Sequence, residues 1–136
     1  MSGRRPDGPG LMDDAIRTAL GRGQLIEMTT TGARTGNARR IDIVLHNFDQ
    51  RLYLSGVPNP MRKRGWLANL EAHPDFMIRL RDGPAVELPA RARVITDPTE
   101  RKAVLARVAA VWNRTDVDTM VEHSPLAEVS IEGYPA

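Results

Sequence analysis

The chain has 136 residues, of which 41% are hydrophobic and 26% are charged, with a net charge of +2 and no cysteine. This composition is typical of a single soluble domain, and a chain of this length buries enough surface to fold without disulfides or a structural metal. The lack of cysteine excludes thiolate metal sites, iron–sulfur clusters and thiol nucleophiles. Because no apolar run is long enough for a signal peptide or a membrane span, we expect a cytoplasmic protein.

The first half of the chain predicts a helix and three antiparallel strands. Residues 1–9 are rich in glycine, proline and arginine, so we expect a disordered leader followed by a single domain over residues 10–136. Apolar residues recur at helical spacing over residues 11–20 and predict a short amphipathic helix. The glycines and asparagine of residues 32–37 predict a hairpin between the first two strands. The strand signals cover residues 25–31, 40–46 and 51–57.

The second half predicts three further strands and up to three helices. A capping box at Asp97–Glu100 predicts a helix of about fifteen residues. Its apolar stripe consists of Val104, Leu105, Val108, Val111 and Trp112. Other helices are expected over residues 65–72 and 115–123, and other strands over residues 76–81, 85–95 and 127–131. Six short antiparallel strands favour a mainly β, α+β fold: a partly closed barrel with two to four peripheral helices, because closure removes exposed sheet edges.

The polar residues of the chain offer little catalytic chemistry of their own. His46, His73 and His123 are far apart in sequence, and none has a second metal ligand three or four residues away, so we predict no metal site. No serine lies in a Gly-x-Ser-x-Gly elbow, and no pair of carboxylates stands out among the acidic residues. If the protein is an enzyme, we therefore expect a bound cofactor to carry the reaction.

Positive charge is concentrated in one part of the chain. Residues 34–64 contain seven basic and two acidic residues, although the whole chain has a net charge of only +2. The segment Thr29–Arg40 combines a glycine-rich hairpin with hydroxyl side chains and three arginines, which is a suitable environment for phosphate or carboxylate oxygens. The pattern favours an anion site and a merely solvated basic hairpin about equally.

Four segments carry a pattern that extends beyond this hairpin: Ile26–Gly36, Arg39-Arg40, Leu52–Gly56 and Gly65–Pro74. They include Thr-Thr-Gly-x-x-Thr-Gly-x-x-Arg and Trp-x-x-Asn-Leu-x-x-x-Pro. In order and spacing they resemble the deazaflavin-dependent nitroreductase family, which belongs to the split β-barrel flavin and deazaflavin oxidoreductases. The resemblance implies a six-stranded, FMN-binding-like split barrel that holds coenzyme F-420 in a surface groove.

The resemblance also implies which residues bind the coenzyme. Its phosphate and oligoglutamate tail would meet residues of the hairpin and the following strand: Arg34, Thr35, Arg39 and Arg40. A strand end and the loop after it would lie along the coenzyme: Ser55, Gly56, Asn59, Arg62 and Lys63. Trp66 and Asn69 would pack against that loop and fix it.

The implied reaction is transfer of a hydride from reduced F-420 to an electron-poor acceptor, such as a quinone, an enone or a nitro compound. Ser55 is the expected catalytic residue, because a hydrogen-bond donor near the ring would stabilise the charge that develops on the acceptor. Family members with nitroreductase activity usually have tyrosines late in the chain, whereas residues 113–120 contain none. The acceptor therefore remains open.

Three alternative functions remain open beside this interpretation. The same fold with FMN would be a flavin-dependent oxidoreductase, and the missing tyrosines are also compatible with a noncatalytic cofactor-binding or ligand-binding protein. Nucleic-acid binding is less favoured, because the basic segment lacks interleaved aromatic residues. The sequence leaves open whether the chain forms a homodimer.

Overall fold

The computed structural model describes residues 12–61 and 64–135, so the expected leader and the predicted ligand residues Arg62 and Lys63 lie outside the described residues. The strands are β1 (Gln24–Thr31), β2 (Ala38–Phe48), β3 (Arg51–Ser55), β4 (Asp75–Leu80), β5 (Glu87–Val94) and β6 (Leu126–Ser130). The helices are α1 (Asp14–Gly21), α2 (Gly65–Ala72), α3 (Pro98–Trp112) and α4 (Val117–His123).

The six strands form one closed antiparallel barrel in the spatial order β1-β2-β3-β6-β5-β4. This confirms the predicted six-stranded antiparallel barrel with peripheral helices. The prediction of partial closure is wrong, because β1 pairs with β2 on one side and with β4 on the other. Closure gives both edges of β1 hydrogen-bonding partners and leaves no exposed sheet edge in the barrel.

The barrel interior is filled by alternate residues of the strands. Ile26 and Met28 of β1 are completely buried, and so is Leu54 of β3. Leu20 of α1 and Leu70 of α2 belong to the same apolar cluster, so both helices pack against the barrel. The first residues of α2, Gly65 and Trp66, line one cavity together with residues of β2 and β3.

A second apolar layer joins α3 and α4 to the outside of the barrel. Val104, Leu105 and Val108 are buried in it, as the predicted stripe requires. Val111 was predicted to share this stripe but is 60% exposed. It lies in the last turn of α3, where Trp112 makes the contact with the barrel, through the ring of His46.

Candidate functional site

An elongated groove runs along β2 and the N-terminus of α2. Its larger part has a volume of about 530 Å³ and is lined by Thr30, Arg39, Ile41, Asp42, Ile43, Ser55, Gly56, Arg64, Gly65, Trp66 and Asn69. A smaller hollow of about 290 Å³ lies at the β1–β2 hairpin and is lined by Gly32, Ala33, Arg34, Thr35, Arg39, Gly65, Ala68 and Asn69. Because the two hollows share Arg39, Gly65 and Asn69, they form one continuous surface.

The hairpin that forms the smaller hollow is a tight turn closed by backbone hydrogen bonds. The Gly32 N–H donates to the Asn37 carbonyl over 2.7 Å, and the Gly36 N–H donates to the Gly32 carbonyl over 3.0 Å. Gly36 has a φ of +73°, in the region that glycine adopts without steric cost. This turn leaves Arg34 and Thr35 exposed at the edge of the groove.

The two neighbouring arginines at the start of β2 face opposite sides of the sheet. Arg39, Ile41 and Ile43 are alternate residues that line the groove. Arg40 lines neither hollow, and its Nε lies 3.7 Å from Oε1 of Glu27 on the outer face of the barrel. The sequence pattern grouped Arg39 with Arg40, but the structure brings only Arg39 together with the other groove residues.

Asn69 connects α2 to the hairpin and to β1. Its Oδ1 accepts a hydrogen bond of 2.9 Å from the Ala33 N–H, and its Nδ2 donates to Oγ1 of Thr30 over 3.0 Å. Trp66, one turn earlier on α2, is only 9% exposed and packs with the barrel core while it lines the groove. The bonds of Asn69 thus fix the hairpin, whereas the sequence placed its effect on the loop that follows β3.

Ser55 and Gly56 form the floor of the larger part of the groove. The Ser55 hydroxyl is buried and donates a hydrogen bond of 2.8 Å to the Pro125 carbonyl. A Cβ at Gly56 would lie 3.2 Å from Cγ of Pro125, so this position favours a residue without a side chain. In this conformation the Ser55 proton is directed to Pro125, and the oxygen lone pairs are the part of the hydroxyl left for a ligand.

The predicted ligand residue Asn59 lies in the loop after β3 and lines neither hollow. Its N–H donates to the His123 carbonyl over 3.2 Å, and its Oδ1 accepts a hydrogen bond of 3.0 Å from the Met61 N–H. These bonds connect the loop to the end of α4 and shape the segment that leads toward the groove.

Arg64 is a groove residue that the sequence-based prediction did not include. It is the N-cap residue of α2, and its Nη2 donates to the Val57 carbonyl over 3.0 Å. Its Nε is buried and has no hydrogen-bond partner among residues 12–61 and 64–135. The available signal was its position directly before the motif that begins at Gly65, at the end of a basic run.

Residues 13–127 match the F-420H(2)-dependent quinone reductase family. The chain belongs to this family. Membership supports an F-420-dependent reductase in general, with F-420 as the cofactor that the family implies.

Several solved structures share the fold of this chain. A conserved hypothetical protein from Mycobacterium tuberculosis has a TM-score of 0.68 at 17% identity, covering 96% of this chain and 86% of that one. An F-420-H2 dependent reductase, FDR-A, has a TM-score of 0.56 at 19% identity, covering 78% and 93%. A candidate pyridoxamine 5'-phosphate oxidase from Listeria innocua has a TM-score of 0.65 at 10% identity, covering 87% and 91%. At these identities the likeness shows the fold alone, and no curated protein matches the chain.

Over residues 12–61 and 64–135, no group of three or more histidine, aspartate or glutamate side chains is placed to hold a metal ion. In the same part of the chain, no helix has the length and apolar character needed to cross a bilayer.

Proposed function

We propose that this reductase family member binds F-420 in the groove and transfers a hydride from the reduced coenzyme to an electron-poor acceptor. The acceptor classes that fit this chemistry are quinones, enones and nitro compounds. The observation that carries the proposal is the unequal character of the groove. The smaller part presents Arg34 and Arg39, and the larger part presents apolar side chains and a buried serine, with Arg39, Asp42 and Arg64 also in its lining.

The residues of the two parts fit the two halves of a coenzyme with a flat ring and an anionic tail. Arg34 and Arg39 supply guanidinium groups, which bind phosphate and carboxylate oxygens in a bidentate manner. Ile41, Ile43 and Trp66 form apolar walls suited to a ring system. Arg64 adds a further guanidinium to the lining of the larger part.

When bound, the reduced coenzyme would supply the hydride, and the residues of the chain would hold the two reactants together. Asn69 keeps the hairpin close to α2, so the tail-binding residues stay in place relative to Trp66. Ser55 remains our prediction for the hydrogen-bond donor to the acceptor. To act as a donor it must turn its hydroxyl away from the Pro125 carbonyl.

The opposite orientation of Arg39 and Arg40 provides the test. Arg39→Ala is expected to weaken binding of oxidised F-420 by about tenfold or more, because it removes charge-assisted hydrogen bonds worth roughly 1.5–3 kcal/mol. Arg40→Ala removes the same charge from the outer face and is expected to weaken binding by only about twofold. Fluorescence titration of the coenzyme at low and high salt measures both, and added salt should weaken wild-type binding.

Equal losses in the two variants would show that the groove is not the binding site. An absence of any fluorescence change with wild-type protein would remove the proposed function. A protein that purifies yellow, with the absorption bands of a flavin, would replace F-420 by FMN in the same fold.

A further inference from the structure

Arg64 holds the loop after β3, but this structural role does not explain all of its surroundings. One nitrogen, Nη2, holds the loop after β3 through the Val57 carbonyl. Its Nε is buried without a partner, although an unsatisfied donor of a charged group is costly. A role confined to the Val57 contact would leave the rest of the guanidinium, which lines the groove, without a function.

The surroundings of Arg64 leave space beside its guanidinium. A Cβ at Gly56 would lie 3.5 Å from Nη2 and 3.6 Å from Cζ of Arg64, so the glycine allows the guanidinium to lie against the backbone. Gly65 likewise places no side chain in the groove, and a Cβ there would meet no atom within 4 Å. No side chain caps the N-terminus of α2 at this point. The guanidinium therefore lies beside an open part of the groove that is rich in hydrogen-bond donors.

Arg64 belongs to the larger part of the groove and not to the hollow at the hairpin. It lines the cavity together with Ser55, Ile41, Ile43 and Trp66, whereas Arg34 and Thr35 line only the hairpin hollow. The tail residues and Arg64 are thus on different stretches of one surface, joined by Arg39.

We propose that Arg64 contacts the redox ring of the coenzyme, while Arg34 and Arg39 hold its anionic tail. The inference rests on the proposed function and deepens it. A guanidinium fork donates hydrogen bonds in one plane, which matches the oxygen and nitrogen atoms along the edge of a heteroaromatic ring. A fixed positive charge beside the ring also favours ligand states that carry negative charge there. Arg64 is therefore a cofactor-contact residue, distinct from the tail-binding arginines.

The test separates ring contacts from tail contacts by using two probes, intact oxidised F-420 and the deazaflavin riboside that lacks the phosphate and glutamates. Arg64→Gln removes the charge and the planar fork and leaves a shorter side chain with a single amide. We expect it to weaken both probes by a similar factor of about ten to a hundred. Arg39→Ala is expected to weaken intact F-420 and leave the riboside within about twofold of wild type.

Arg64→Lys restores the charge without the fork and is expected to recover part of the affinity for both probes. Gly56→Ala supplies an independent variant, because its Cβ would lie only 3.2 Å from Cγ of Pro125 and in van der Waals contact with the guanidinium. It should also weaken the riboside. Thermal melting of each variant without ligand checks that the fold is intact.

Three results overturn the inference. Wild-type affinity for both probes in Arg64→Gln would show a purely structural role. Weakening of intact F-420 alone would assign Arg64 to the tail. Weakening that follows only the loss of melting temperature across the three variants would assign the effect to folding. Failure of the wild-type protein to bind either probe is a different outcome, since it removes the proposed function as well.

Discussion

His46 is a titratable side chain buried beneath α3, away from the groove. It is 3% exposed and packs against the rings of Phe48 and Trp112, with centroid distances of 5.6 Å and 5.4 Å. Its Nε2 is buried without a hydrogen-bond partner. Burial disfavours the charged imidazolium and lowers the pKa of His46 from 6.5 to about 4. The ring is therefore neutral in the folded protein at neutral pH.

This burial predicts a loss of stability in mild acid. Between pH 6.5 and about 4 the unfolded chain binds a proton at His46 that the folded chain does not, so the free energy of unfolding falls as the pH falls. The expected loss from His46 alone is about 2 kcal/mol between pH 7.5 and pH 5. Urea unfolding of wild type and His46→Phe at both pH values measures it.

The variant should lose about this much of the pH dependence, while His73→Gln, which removes an exposed histidine, should retain it. The same pH dependence in wild type and His46→Phe would contradict the assignment.

At the scale of single residues, the sequence predicted which residue types line the groove better than it predicted the side of the sheet on which each side chain lies. It identified Arg39, Ser55 and Trp66, all of which line the groove. It grouped Arg40 with them because two adjacent arginines are equivalent in a sequence pattern. In the strand, successive side chains point to opposite faces, so Arg40 lies on the other side of the sheet. Arg64 was missed because its placement depends on the path of a loop that no local pattern specifies.

At the scale of elements, α4 is held in place by one arginine of α3. Arg101 donates to four backbone carbonyls: Ile95 at 3.0 Å, Met120 at 3.3 Å, Val121 at 2.9 Å and Ser124 at 2.6 Å. Burial among these carbonyls lowers the pKa of Arg101. The carbonyls of His123 and Pro125 beside this contact accept hydrogen bonds from Asn59 and Ser55. The arginine thus supports the floor of the groove through the end of α4.

Loss of this contact should destabilise the protein and loosen the groove floor. We expect Arg101→Ala to lower the free energy of unfolding by about 3 kcal/mol, because it removes four hydrogen bonds from a charged donor to partly buried carbonyls. Arg101→Lys should recover only part of this, since an ammonium has fewer donors and no planar fork. Urea unfolding measures each variant.

The control is Lys102→Ala, which removes an exposed charge one residue further along the same helix and should change stability by less than about 0.5 kcal/mol. An equally small change in Arg101→Ala would show that α4 is held by its apolar contacts alone.

Elements were predictable where a local signal defined them. Asp97 accepts a hydrogen bond of 2.9 Å from the Glu100 N–H, and α3 runs over the fifteen residues Pro98–Trp112. The reciprocal half of the capping box is replaced by an ion pair between Glu100 and Arg93 of β5. Local spacing predicts the Asp97 cap, but it cannot predict that Arg93 binds Glu100, because β5 and α3 meet only in the tertiary structure.

At the scale of the whole molecule, the barrel depends on contacts between distant segments. The pairs β1–β4, β3–β6 and β5–β6 close the ring. Alternation of apolar residues predicts that each strand exists, yet it does not specify which strands are neighbours. The sequence pattern therefore predicted the six strands and their antiparallel direction, but it did not predict their order in the closed barrel.

A ligand that binds across several elements should stabilise the folded molecule. The groove is built from β1, β2, β3 and the start of α2, so bound F-420 would connect four elements of the fold. At one hundred times its Kd, the coenzyme is expected to raise the free energy of unfolding by about 2.7 kcal/mol. Thermal melting with and without the coenzyme measures this, with Arg39→Ala as the control that requires more ligand for the same shift. Unchanged melting at saturation would contradict binding to the folded state.

The pairing of Thr30 with Arg39 and of Thr29 with Arg40 has one more consequence. A slip of a single residue between these two strands would exchange the arginines, turning the ligand-facing guanidinium outward and its neighbour inward. We therefore expect the six-residue turn to tolerate the insertion or deletion of two residues more readily than that of one residue. Coenzyme affinity would then serve as a sensitive reporter of strand alignment in variants of this hairpin.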